Sequence, residues 1–194
     1  MNRTSPDEAD FLAGRLLVAM PGIEDERFER AVLYLCAHDA DQAMGLTVNR
    51  PVEGLTVFEL LDRLGVPSEH KTLDDLVLLG GPVELERGFV LHTDDFNSPE
   101  STLHLADGLG LTATRDALDA IGSRIRRPRR SILALGYAGW GPGQLEQEVR
   151  DNIWLICDAD EALLFDDDHE HKWTRALAKL GISADHLSVQ AGRA

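Results

Sequence analysis

The sequence has two cysteines, no apolar run near the length of a membrane span, few aromatic residues and little positive charge. Each shortage removes a class of protein. Cys36 and Cys157 sit far apart in apolar runs with no CxxC partner, which excludes a disulfide framework and a paired-cysteine zinc site and predicts two buried, reduced thiols. Such usage suits a reducing, cytoplasmic compartment. No stretch approaches the roughly 18 apolar residues a spanning helix needs. Met1 to Asp10 is polar and acidic, lacks the apolar core of a signal peptide, and is expected to form a flexible tail over residues 1–10. Nineteen lysines and arginines stand against thirty-four acids, for a net charge of −15. Phosphate backbones are bound by positive surface, so nucleic acid is disfavoured as a partner, as is a membrane. The local exception is Arg124, Arg126, Arg127, Arg129 and Arg130, read as a solvated loop, with a contact for an acidic partner or nucleic acid as the alternative.

What is present is an ordinary globular composition, 43% hydrophobic and 27% charged, in 194 residues. A chain of this length hides roughly 70% of its unfolded surface, so a core can form without metal or disulfide. One α+β domain over residues 11–194 is expected. Val32, Tyr34 and Cys36 alternate with Leu33, Leu35 and Ala37, all apolar, which predicts a strand buried on both faces over Ala31 to Ala37. A polar turn then leads into a second strand, Ala43 to Val48. Thr56 and Glu59 form a capping box for a helix with Phe58, Leu61 and Leu64 inward. Further strands are expected at Leu76 to Leu79, Arg87 to His92, Ser101 to Leu105, Ser131 to Leu135 and Trp154 to Cys157. Further helices are expected at Thr114 to Ile121, after Gly143, and over Trp173 to Leu180. Short turns between early strands, without βαβ alternation, favour a largely antiparallel or mixed sheet with helices around it.

Chemistry-bearing signals are sparse. Gly136 to Gly143, followed by Gln144 and Leu145, reads as a glycine-rich loop between a strand and a helix. It is either an anion cradle of backbone N–H groups or a tight turn under a packed Trp140. It lacks a P-loop lysine, and Glu146 and Glu148 complement the helix dipole where phosphate would sit. Arg50, in Asn49-Arg50-Pro51, ends a strand and either clamps a carboxylate ligand or bridges to the chain's own groups. Histidine–carboxylate pairs occur at His38, His92, His104 and His169–His171, without HExxH or paired spacing, so no metal and no cofactor is expected. There is no GxSxG, and no catalytic residue is assigned. The strand-end groups Asn49, Arg50, Gly80, Gly81, Pro82, Tyr137, Trp140, Gly141, Gly143 and Gln144 are expected on one face, as a candidate pocket.

Several blocks together resemble the YqgE/AlgH family of bacterial proteins: Gly14 to Pro21, Met44 to Pro51, Gly80 to Val83 with Phe89 to His92, Gly136 to Leu145, and Trp173 through Ile182. The resemblance runs in order from about Phe11 to the C-terminus. It implies a bifurcated, largely antiparallel sheet curled into a partial barrel with flanking helices, and a cytosolic location. It carries a label of transcriptional regulator but no catalytic residue, cofactor or substrate. Two departures are Gln42, where the family usually has glycine, and Arg193, where it has histidine. The expected function is a non-enzymatic regulatory or interaction protein with an unidentified protein partner. The alternatives are a binder of a small anionic ligand, or an enzyme, using the strand-end pocket, and a DNA-binding regulator.

Overall fold

The computed structural model describes residues 11–70 and 75–184; the expected N-terminal tail and Arg193 lie outside them. Among the described residues, β1 (Arg15–Ala19), β2 (Val32–His38), β3 (Ala43–Thr47) and β4 (Pro51–Thr56) precede α1 (Val57–Arg63). Then come β5 (Leu76–Leu79), β6 (Val83–Thr93), β7 (Thr102–His104), β8 (Leu109–Thr112) and α2 (Arg115–Gly122). The chain continues through β9 (Ser131–Trp140), α3 (Gln144–Arg150), β10 (Trp154–Asp158), α4 (Glu161–Leu164) and α5 (Lys172–Lys179). The sheet order is β10-β1-β2-β3-β9-β6-β8-β7, with β5 and β4 as a branch off β9. Every pairing is antiparallel except β5 with β9.

The branch point explains the bifurcated sheet. Ala134 and Leu135 of β9 pair in parallel with Leu78 and Leu79, and three residues after Leu135 the stretch Ala138 to Trp140 pairs antiparallel with Gly45 to Ala43. One strand therefore serves two neighbours in succession on the same edge. The change falls at Gly136, whose φ of 71° lies in the left-handed region that favours glycine. A Cβ there would meet the carbonyl oxygens of Gly81 and Val83 at 2.5 and 2.8 Å. The glycine-rich segment expected as a loop from Gly136 is thus a continuation of β9 to Trp140, kinked rather than ended. Glycine reads as a turn signal in sequence, whereas here the ladder continues across the kink.

Both faces of β2 and its neighbour β1 are covered, as the two-sided apolar pattern of β2 predicts. Leu16, Val18, Val32, Tyr34 and Cys36 share one cluster with Leu163, Leu164, Trp173, Ala176 and Leu177 of α4 and α5. The alternate residues Leu17, Ala19, Leu33 and Leu35 pack on the opposite face with Trp140, Leu145 and Trp154. A third cluster joins Val57 and Leu61 of α1 to Ala117, Ala120 and Ile121 of α2. The capping box at Thr56 forms in both directions. Val57 and Leu61 are the buried residues of α1, and the expected Phe58 packs half-buried against the same cluster; Leu64, at the helix cap after Arg63, is 48% exposed and does not join them.

Cys36 and Cys157 are free and buried. Burial pushes the Cys36 thiol up to about 12 and raises that of Cys157. Neither thiol should react with a bulky aromatic disulfide reagent in the native state, and both should react in denaturant. Rapid native labelling of both would contradict the packing described.

Candidate functional site

A cleft of about 770 Å³ opens where β9 meets α3. Its outer wall is the segment from Met20 to Phe28, which leaves β1 through Pro21-Gly22 and closes in a short 3-10 turn at Glu26–Phe28. Pro82 and Val83 enter where β6 begins, Gln144 and Glu148 project from α3, and Asp151 follows at its C-terminal cap. Trp140 and Trp154 sit at the base, 6% and 3% exposed.

Glu148 organises this base. Its Oε2 accepts hydrogen bonds from both indoles, Trp140 Nε1 at 2.8 Å and Trp154 Nε1 at 2.7 Å. Its Oε1 accepts one from Gln144 Nε2 at 2.9 Å. Gln144 in turn accepts from the Gly141 backbone N–H at 3.1 Å, which ties the turn before α3 to the same network. The two indoles meet edge to face at 6.2 Å, and Phe28 meets Trp154 at 5.6 Å in the same manner. Trp140 and Gln144 are among the residues expected from the sequence, whereas Glu148 is expected only to complement the helix dipole. The available signal was its spacing: Glu148 lies four residues after Gln144, on one helix face.

The cleft is acidic. Glu24, Asp25, Glu148 and Asp151 line it against one cation, Arg27. That guanidinium is taken by Asp25 through Nε at 2.9 Å and Nη2 at 2.7 Å. The bond from Arg27 holds the Asp25 carboxyl below the usual carboxylate range, so the pair is ionised and neutral overall. Glu24, Glu148 and Asp151 remain.

Of the expected pocket residues, the structure brings Pro82, Trp140 and Gln144 to this cleft. Asn49 and Arg50 lie behind its outer wall. Asn49 accepts from Val32 N and donates to Arg30 O, both at 2.9 Å, and Arg50 donates to the carbonyls of Arg27 and Glu29. Gly80 and Gly81 lie against β9, where Gly80 N donates to Leu135 O and Gly80 O accepts from Thr47 N, both at 2.8 Å. Tyr137 faces the opposite cluster and packs edge-on to Phe89 at 5.7 Å. Gly141 and Gly143 form the turn into α3 and are not part of the lining. Arg50 thus props the 3-10 turn of the wall. Arg50→Ala should cost roughly 1 kcal/mol in denaturant unfolding, because two carbonyls lose a charged donor near water. An unchanged stability would contradict a propping role.

A family model described as AlgH-like matches residues 16–185. The chain belongs to the AlgH-like family. It is 80% identical over 188 residues to a UPF0301 protein of Caulobacter vibrioides, covering 97% of this chain and 96% of that one. A UPF0301 protein of Rhodopseudomonas palustris is 52% identical over 195 residues, covering 97% and 89%. The solution structure of AlgH from Pseudomonas aeruginosa superposes with a TM-score of 0.73 at 40% identity over the full length of both chains. A Corynebacterium diphtheriae protein, 20% identical, shares the fold at a TM-score of 0.70 over 92% of this chain and 90% of its own. The AlgH-like fold is therefore the single-domain, curled antiparallel half-barrel with helices implied by the sequence blocks.

Three histidines of this AlgH-like chain make local structural contacts. His92 is fully buried, its Nδ1 2.9 Å from Thr93 O and its Nε2 2.9 Å from Thr112 Oγ1, and burial lowers its pKa. His38 Nδ1 accepts from Leu12 N at 3.0 Å while its Nε2 meets Glu146 at 3.1 Å, joining the N-terminal segment to α3. His171 pairs locally with Asp168. Among the described residues, no group of three His, Cys, Asp or Glu side chains could hold a metal ion. No described helix is long and apolar enough to cross a membrane.

Proposed function

We propose that this AlgH-like protein is a cytoplasmic, non-enzymatic interaction protein that engages its partner through the cleft beside α3. The observation that carries the reading is the composition of the lining: a carboxylate fixed by two indoles and an amide, apolar walls, and no serine, threonine, cysteine, histidine or lysine among the described lining residues. The described lining thus offers no hydroxyl, thiol, imidazole or amine as nucleophile or proton shuttle, and its indoles, amide and held carboxylate suit recognition. The sign of the charge speaks against the anionic ligand considered for the strand-end loops, since three carboxylates stay uncompensated where an anion would enter.

A photo-crosslinking amino acid placed at Pro82, on the cleft, should give discrete protein adducts in cells of the source bacterium. The same group at Glu100, outside the cleft, should not. Identical adduct patterns from both positions would overturn the reading.

A DNA-binding role has less support. Two of the five clustered arginines are occupied, Arg127 by Asp75 at 2.8 Å and Arg129 by Glu161 at 2.5 Å. With the remainder of the molecule acidic, duplex DNA should show no submicromolar binding near physiological salt of about 150 mM. Submicromolar binding lost on replacing Arg126, Arg127 and Arg129 would reinstate the regulator label.

A further inference from the structure

We propose that the cleft receives an arginine side chain carried on a segment of the partner protein. This rests on the interaction reading above and names the chemistry of the partner.

Charge is the first ground. Beside the self-neutralised Asp25–Arg27 pair, Glu148 in the last turn of α3 and Asp151 at its C-terminal cap both line the cleft, three residues apart. Glu148 Oε1 accepts a single hydrogen bond, from the exposed amide of Gln144, and keeps lone-pair capacity toward the cleft. Asp151 is exposed, and its Oδ1 accepts from Gln147 Nε2 at 2.9 Å, which leaves Oδ2 open. Two carboxylates about one turn apart suit a donor that presents several N–H groups in a fan.

Shape is the second. Ile23, Phe28 and Val83 give apolar surface along which a methylene stem can lie while its head reaches α3. A guanidinium is planar, weakly hydrated and compatible with aromatic neighbours, so it loses less than an ammonium on entering a cleft with indoles at its base. The wall is also held in place before binding: Arg50 and Asn49 fix the backbone of Arg27 to Arg30 from behind. A pre-organised wall lowers the ordering penalty of recognition. At about 770 Å³ the cleft has room for neighbouring residues beside the arginine, which favours a peptide segment over a free amine.

The test is calorimetric titration of the full chain with a blocked peptide carrying one arginine between leucines, alongside three probes: the same peptide with citrulline, the same with lysine, and spermidine. Citrulline keeps the shape and removes the charge. The arginine peptide should bind, and citrulline should weaken binding at least about tenfold, the expected loss for a charge-assisted pair. Glu148→Gln keeps an oxygen for the two indoles and should weaken the arginine peptide by a similar factor. Asp151→Asn, on an exposed side chain, should weaken it roughly threefold and serves if Glu148→Gln proves unstable. Equal binding of arginine and citrulline peptides, or no binding of either, overturns the proposal. If the Pro82 cross-link persists in that case, the interaction reading stands with a different partner chemistry; if it too is absent, both fall. Spermidine binding as tightly as the peptide would overturn the assignment to a protein segment.

Discussion

Gly81→Ala should destabilise the protein by more than about 3 kcal/mol, or prevent folding, although the substitution adds one methyl group. The Cβ would lie 2.1 Å from the carbonyl carbon of Tyr137, 2.2 Å from its oxygen and 2.3 Å from Ala138 N. All three are backbone atoms, so no rotamer change relieves the overlap. Moving β9 away would strip its pairing of Ala138 with Gly45 and of Leu135 with Leu79, on both sides of the kink. Gly141→Ala is the matched control, because nothing lies within 4 Å of its added Cβ and its φ is not positive. The control should change stability by no more than about 0.5 kcal/mol. Equal midpoints in denaturant for the two variants would show that the crossing of the Gly80-Gly81 segment over β9 is not as close as described.

The second large effect is electrostatic. Lys172 is fully buried, with Nζ donating to Val48 O at 2.9 Å and Leu164 O at 3.0 Å, at the C-terminal end of α4. Burial pushes its pKa down to about 8, against the partial support of Asp166 and its neighbours. Between about pH 8 and pH 10.5 the unfolded chain binds this proton and the folded one does not, so stability from this group rises with pH across that window. The gain amounts to about 2–3 kcal/mol, from 1.36 kcal/mol per pKa unit. Cys36, Cys157 and Tyr34 act in the opposite direction: burial raises all three, so they favour the folded state less as the unfolded thiols and phenol ionise. The Lys172 contribution must therefore be read as a difference. Unfolding free energies of the native protein and of Lys172→Met, measured from pH 7.5 to 10.5, should diverge by that amount in favour of the native chain at high pH. Near neutral pH the two should differ little, because the variant escapes the desolvation of a charge but leaves two carbonyls unpaired. Parallel profiles would mean that the lysine is not held in a dry site.

Local signals in the sequence carried much of this architecture. The doubly apolar β2, the hairpin into β3, the Thr56 capping box and the α5 stripe of Trp173, Ala176 and Leu177 all follow from patterns within a few residues. Long-range pairing was not legible: β1 joins β10 across the whole chain, Leu16 opposite Cys157, and no local pattern encodes a partner 141 residues away. β4 was missed because Pro51, Glu53 and Gly54 break the strand pattern; its register is irregular, and it meets β5 only at Pro51 and Thr56. β8 and α4 are four residues each, too short for periodicity to show. The cleft was legible in part. Trp140 and Gln144 stand out beside glycines, whereas nothing in the stretch from Met20 to Phe28 marks it in sequence as a wall of the cleft. Its proximity to α3 arises from the β1–β10 pairing that the sequence hides.

The indole resonances of the three tryptophans give the most direct test of the central claim. Trp140 and Trp154 donate to Glu148 at the base of the cleft, while Trp173 donates to Ala19 O at 2.8 Å on the other face of the sheet. In a two-dimensional nitrogen–proton spectrum, titration with the arginine peptide should shift the Nε1–H signals of Trp140 and Trp154 together and leave that of Trp173 in place. A bound peptide that moves Trp173 alone, or moves none of the three, would contradict recognition at Glu148.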